Sequence, residues 1–224
     1  MTRIVAVCFD LDGTLCENDQ SGAALYRAAF THAGIEPFGE ATELWAELEG
    51  PPPTEPDAAR EHLAGGFETL ARRYGRQVDA AALAEGLLDT VDHSAVSLLP
   101  GAERALALAR DHGPVGLLTN GPERRQGVKL ESLELTEAFD SVVFAGDMRN
   151  RKPHPDPFDR VVRELGVDHA AVLYVGDSLE YDVTGARNAG LPVAWFRGDR
   201  EAPDPDPAPD FVLDTYDAFE TVLS

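Results

Sequence analysis

The stretch Asp10-Leu11-Asp12-Gly13-Thr14 constrains this chain more than any other, because it sets two carboxylates two residues apart where an apolar run over residues 4–9 gives way to a glycine turn. Positions i and i+2 of an extended strand face the same side. Both carboxylates can therefore look into one crevice beyond the strand's carboxyl end, which is where open α/β sheets bind ligands.

After that strand, residues 17–98 show no convincing strand and four amphipathic helical patterns, over 21–33, 41–48, 57–74 and 79–92. Turn formers such as Gly50-Pro51-Pro52-Pro53 and Gly75 separate them, and Ser21 suits the N-cap of the first. This block reads as a small helical domain inserted after the first strand. From Pro100 onward the pattern alternates: helix 102–111, strand 115–119, helix 123–133, strand 141–145, helix 157–165, strand 171–175, helix 181–189 and strand 192–196. Such alternation predicts a parallel sheet. An Asp/Pro-rich loop over 201–210, a short strand over 211–213 and a terminal helix complete the chain.

The 40 acidic residues outnumber the 19 basic ones, and the formal charge of −21 is spread along the whole chain. No basic patch offers itself to a phosphate backbone, which argues against nucleic-acid binding. No run is apolar enough for a transmembrane helix, and the first apolar run lacks a signal-peptide pattern, so a cytoplasmic protein without a membrane partner is expected. Lys129 and Lys152 are the only lysines. This Asp/Glu-rich, Lys-poor composition resembles proteins of salt-accumulating archaea, where screening relieves self-repulsion; an ordinary acidic soluble protein is the alternative. Cys8 and Cys16 bracket the acidic pair without metal-type spacing and are read as a core residue and a loop filler. The six histidines show no ligand spacing.

Three more strand exits carry polar residues suited to phosphate chemistry. Leu117-Leu118-Thr119-Asn120-Gly121 ends a strand with a hydroxyl, an amide and a glycine that lets backbone approach a ligand. Arg151-Lys152-Pro153-His154-Pro155 opens a helix after the next strand, and Tyr174-Val175-Gly176-Asp177-Ser178 leaves the one after that, with Asp182 five residues beyond Asp177. If the strands are parallel, all four sets meet at one edge of the sheet. Taken singly, each could be an ordinary turn or helix cap. Residues 121–129 approach a P-loop, but the spacing between Gly127 and Lys129 is wrong and the reading is discarded.

The four sets, in this order, resemble the motifs of the haloacid dehalogenase superfamily of phosphohydrolases: Asp10 to Thr14 the first, Thr119 the second, Lys152 the third, and the stretch from Gly176 through Asp182 the fourth. The resemblance implies an α/β fold, with a Rossmann-like parallel sheet core flanked by helices on both faces (residues 1–16 and 99–224) and a small all-helical cap domain (17–98). It implies a Mg²⁺-dependent phosphatase acting on a small phosphorylated metabolite. Asp10 would be the nucleophile that forms an aspartyl phosphate, and Asp12 the acid that protonates the leaving oxygen and then the base that activates water. The metal ligands would be the Asp10 carboxylate, the Asp12 backbone carbonyl and Asp177, with Asp182 behind them. Lys152 would keep Asp10 and the phosphate from repelling one another, Thr119 would donate to a phosphate oxygen, and Asn120 and the amides of Leu11 and Gly121 are further candidates for that task.

Other members of the superfamily set the alternatives. A 2-haloacid dehalogenase uses the nucleophilic aspartate without the second one, so Asp12 argues against it. A phosphosugar mutase would use the same pair. A catalytically silent binding module has no need of a buried acidic cluster that only a cation relieves. In the cap, Arg27, Arg60, Arg72 and Arg73 could meet an anionic substrate, although surface solubility explains them equally well. Glu17, Asn18 and Asp19 lie near the expected hinge.

Overall fold

The computed structural model of the chain describes residues 3–48, 50, 52–200 and 206–223. It divides into two compact units, Met1–Asn18 with Val96–Ser224, and Asp19–Ala95. No helix among the described residues is long and apolar enough to cross a membrane.

The first unit is built on six parallel strands, β1 (Ala6–Phe9), β4 (Val115–Thr119), β5 (Ser141–Phe144), β6 (Val172–Gly176), β7 (Val193–Phe196) and β8 (Phe211–Leu213), in the order β5-β4-β1-β6-β7-β8. Successive residues divide between two cores, as the two-residue period of a strand requires. Val7, Phe9, Val115, Leu117, Leu173 and Val175 pack on one face with α5 (Ala102–His112), α6 (Glu123–Ser132) and α9 (Phe219–Leu223). Ala6, Cys8, Leu118, Val143, Val172 and Tyr174 pack on the other with α7 (Pro155–Leu165) and α8 (Thr184–Asn188). A sheet apolar on both faces and covered by helices on both is the expected α/β architecture. The chain runs outward to β4 and β5 on one side of β1 and to β6, β7 and β8 on the other. The crevice opened by that reversal lies beyond the carboxyl ends of the central strands, where ligands bind in such sheets.

Two features depart from the pattern read in the sequence. Residues 17–98 were expected to be free of strands, yet β2 (Cys16–Asn18) and β3 (Val96–Leu98) pair antiparallel where the chain leaves and re-enters the first unit. Three residues are too few for a periodic signal. Cys16 therefore opens a strand and is buried, rather than filling a loop, and both cysteines are free thiols. The helix expected over 181–189 begins instead as a wide π turn, Leu179–Val183, and only then becomes α8. Of the loop expected over 201–210, residues 201–205 lie outside the described residues.

The second unit holds α1 (Gly22–Ala33), α2 (Ala41–Glu47), α3 (Pro56–Arg73) and α4 (Ala80–Thr90) around a core that includes Tyr26, Phe30, Leu44, Phe67, Leu70 and Leu83. The Ser21 side chain accepts from the Ala24 N–H and Asp79 accepts from that of Ala82, so α1 and α4 begin at side-chain caps. Arg60 pairs with Asp57, and Arg73 with Glu47 and Glu43, which places both arginines in ion pairs of this unit.

Candidate active site

Asp10 follows β1 directly, Thr119 ends β4, Lys152 lies just before α7, and Asp177 follows β6. Since β4, β1 and β6 are neighbours, these residues gather at one sheet edge. The sharpest local requirement is at Gly13. Its φ of +77° is left-handed, and a Cβ there would sit 2.5 Å from Asp177 Oδ2, so only glycine lets the first loop pass beside the fourth.

Lys152 stands at the centre of the cluster. Its ammonium reaches Asp10 Oδ1 at 2.7 Å, Asp182 Oδ1 at 2.7 Å, the Tyr174 hydroxyl at 2.9 Å and the Leu118 carbonyl at 3.1 Å. Four acceptors around three N–H donors leave it fully engaged by protein. Burial disfavours its charge, but Asp10 and Asp182 outweigh that and hold it protonated beyond the ordinary lysine range. Asn120 fixes the backbone from which this lysine springs, its Oδ1 accepting from the Lys152 N–H at 2.9 Å and its Nδ2 donating to the Lys152 carbonyl at 3.0 Å. Asn120, a candidate for phosphate, is thus tied at both ends of its amide to the backbone of Lys152, and its Nδ2 keeps a second N–H.

The carboxylates are in excess. Burial pushes the Asp10 carboxyl up to about 8, with Lys152 opposing and Asp182 and Asp177 adding to the rise. Asp177 is raised too, by burial and then by Asp182, with Arg200 and Lys152 opposing. Asp10, Asp177 and Asp182 each offer an oxygen, and the three oxygens lie within 4.8 Å of one another. Three carboxylates crowded around one buried ammonium favour a further cation in place of a proton, and an all-oxygen donor set suits a hard one.

The partners of Asp182 separate its role from the other two. Its Oδ1 accepts from Lys152 and Tyr174, and its Oδ2 accepts from the Ser178 N–H at 2.9 Å. Both oxygens are thus engaged by protein, which suits a residue that braces the cluster. Asp10 gives only Oδ1 to Lys152, and among the described residues no hydrogen bond reaches its Oδ2. Asp177 gives Oδ2 to Arg200 at 2.9 Å. The residues fit a metal held by Asp10 and Asp177.

Asp12 has different surroundings. Its carboxylate is half-exposed, and both oxygens accept from α6: Oδ1 from the Lys129 ammonium at 2.5 Å and Oδ2 from Gln126 Nε2 at 2.6 Å. Thr119 Oγ accepts from Gln126 Nε2 at 2.7 Å and from the Gly121 N–H at 3.2 Å. A hydroxyl has two acceptor sites and one proton to give. With both acceptor sites filled, the Thr119 proton is left for an outside acceptor.

The chain matches the haloacid dehalogenase-like hydrolase family over residues 4–190. It belongs to that family. It is similar to the phosphoglycolate phosphatase of Escherichia coli (strain K12), 32% identical over 213 residues that cover 84% of this chain and 79% of that protein. It is also similar to the glyceraldehyde 3-phosphate phosphatase of Methanopyrus kandleri, 30% identical over 94% of this chain and 93% of the relative. The structure of YfnB from Bacillus subtilis superposes with a TM-score of 0.77 over the whole of both chains, at 22% identity, which is a likeness of fold. This hydrolase of the haloacid dehalogenase family thus has relatives among phosphatases.

Four residues of the site had no motif to announce them. Gln126 and Lys129 sit three apart on α6 and so share a face. They lie in the stretch whose spacing misses a P-loop, and the only signal there is that Lys129 is one of two lysines in the chain. Tyr174 opens the set that leaves β6 but lies within the apolar strand, ahead of the fourth motif. Arg200, which donates to the side chain and the backbone carbonyl of Asp177, comes from a loop with no pattern.

Proposed function

We propose that this hydrolase is a Mg²⁺-dependent phosphatase that cleaves small phosphate monoesters through a phosphoryl group carried on Asp10. One observation carries the reading: the two aspartates of the first loop have opposite surroundings, Asp10 buried against Lys152 and Asp12 half-exposed between donors from α6. Environments that differ in this way assign different chemical tasks to two nearby carboxylates.

In the first step an Asp10 oxygen attacks phosphorus, the bond to the ester oxygen breaks, and Asp12 gives that oxygen its proton. In the second, water attacks the phosphoryl group, Asp12 takes the water's proton, and the Asp10 carboxylate is released with inorganic phosphate. Lys152 neutralises the negative charge of Asp10 so that a phosphate dianion can approach. Thr119 donates its remaining proton to a phosphate oxygen. A Mg²⁺ held by the Asp10 and Asp177 carboxylates and the Asp12 carbonyl would supply further charge neutralisation for the transferring group. Asp182 and Ser178 keep that loop in place.

The phosphatases among the relatives support a small phosphorylated metabolite as substrate. We read the helical unit Asp19–Ala95 as the cap and assign it the choice among substrates. The charge of −21 and the two lysines, both inside the site, support work in the concentrated salt of a cytoplasm that accumulates it.

The reading is tested by phosphate release from an aryl phosphate and from a panel of glycolate, triose and nucleoside phosphates in concentrated KCl, with and without Mg²⁺, beside Asp10→Asn. Mg²⁺-dependent turnover that Asp10→Asn abolishes is expected. Turnover that persists in Asp10→Asn, or a folded protein that releases no phosphate from any of them, would overturn it.

A further inference from the structure

The face of α6 that meets Asp12 carries a second buried ammonium that none of the four motifs contains. Lys129 is only 6% exposed and Gln126 only 2%, yet each directs its polar end at the Asp12 carboxylate. The Lys129 ammonium also donates to Asn18 Oδ1 at 3.2 Å, and Gln126 Nε2 also donates to Thr119 Oγ. A buried lysine is costly unless its charge is met. Its placement therefore needs a reason, and a surface ion pair does not supply one.

We infer that Lys129 and Gln126 are positioning residues for the reaction: together they hold the Asp12 carboxylate in the orientation from which it protonates the leaving oxygen and activates water, and Gln126 sets Thr119 in the same register. The inference rests on the acid/base role proposed for Asp12. A lone carboxylate on a loop samples several rotamers. Two donors from one rigid helix, one on each oxygen, define the plane of the carboxylate as well as its position. Each oxygen keeps a second lone pair, so the carboxyl can carry the proton it transfers without losing either partner. Asn18 closes the arrangement from β2, giving the ammonium a second acceptor. Gly121 makes room for it, since a Cβ there would lie 2.4 Å from the Gln126 side chain.

Leaving-group dependence separates positioning of Asp12 from a general structural role. An activated aryl phosphate releases a stable phenolate without a proton donor, so its first step does not need Asp12 and only hydrolysis of the phosphorylated enzyme does. An alkyl phosphate needs Asp12 in both steps. The experiment measures rapid-mixing bursts with para-nitrophenyl phosphate and single turnovers with an alkyl phosphate for wild type, Asp12→Asn, Lys129→Met, Gln126→Leu and the Asp12→Asn/Lys129→Met double variant, with Mg²⁺ present.

Lys129→Met is expected to keep the burst of nitrophenolate. Its later turnover and its alkyl cleavage should fall roughly a hundredfold, the scale set by misplacing a reacting group by about an ångström. Gln126→Leu should change the same steps, and adding Lys129→Met to Asp12→Asn should cost nothing further. Equal slowing of the burst and the later phase, unchanged kinetics, or the full loss repeated in the double variant would overturn the inference. Should thermal melting show Lys129→Met unfolded, Gln126→Leu, which removes no charge, decides by the same criteria. If Asp12→Asn itself keeps wild-type alkyl cleavage, the role proposed for Asp12 fails first, and that outcome is distinct from a failure of Lys129 alone.

Discussion

At the scale of single residues, the site is governed by an imbalance of buried charge. The folded protein without metal holds the Asp10 proton up to about pH 8, whereas the unfolded chain releases it near the ordinary value of 3.8. The folded state thus binds more protons between those values, and on this account stability falls as pH rises through that window. Thermal melts of the metal-free protein should show this fall, and Asp10→Asn should flatten it. A cation competes with that proton, so Mg²⁺ should raise Tm more at pH 8 than at pH 6; a shift equal at both would contradict the charge imbalance. Lys152→Met leaves Asp10 and Asp182 buried without their ammonium and should cost about 3–5 kcal/mol in urea unfolding of the metal-free protein. The positions of Asp10, Asp12, Thr119 and Asp177 could be read from the sequence because each lies at a strand exit beside a turn former, and those of Lys152 and Asp182 from their spacing in the ordered motifs. Gln126 and Lys129 could not. Their shared partner Asp12 lies more than a hundred positions away, and a polar pair on a helix has many ordinary explanations.

At the scale of elements, the loops after β1 and β6 are held against each other by backbone that only glycine permits. Gly13→Ala would both strain a left-handed φ, at about 1–2 kcal/mol, and drive a methyl into the Asp177 carboxylate. Mg²⁺ affinity, followed by calorimetry, should fall roughly tenfold or more, as it does when the support of a ligand is disturbed; unchanged affinity would exclude Asp177 as a ligand. The π turn Leu179–Val183 has the same logic, because it brings Asp182 so close to Gly176 that a Cβ there would lie 2.4 Å from its Cγ. The strands of the parallel sheet were legible because runs such as Val115–Thr119 are largely apolar and give way to Gly, Asn or Asp. The π turn was not, since its sequence has the periodicity of an ordinary helix and the widened turn answers to packing beneath β6. The β2–β3 pair was equally silent, being specified by where two distant segments meet.

At the scale of the whole molecule, 40 acidic residues repel one another in dilute buffer. KCl should therefore raise Tm steadily from low concentration into the molar range, with Mg²⁺ held constant; a Tm that peaks in dilute buffer would remove the salt adaptation. The scarcity of lysine belongs to this scale as well, since both lysines of the chain are buried in the site, one on each aspartate of the first loop. Covalent capture of the phosphoryl group by Asp10 is the central claim of the function we propose. The most direct test is to mix Asp12→Asn with para-nitrophenyl phosphate and Mg²⁺, quench in acid within the burst, and locate the modification by peptide mass spectrometry. One phosphoryl group per chain, on the peptide carrying Asp10, is predicted; nitrophenolate released in a burst without covalent phosphate, or with phosphate on another residue, would contradict it.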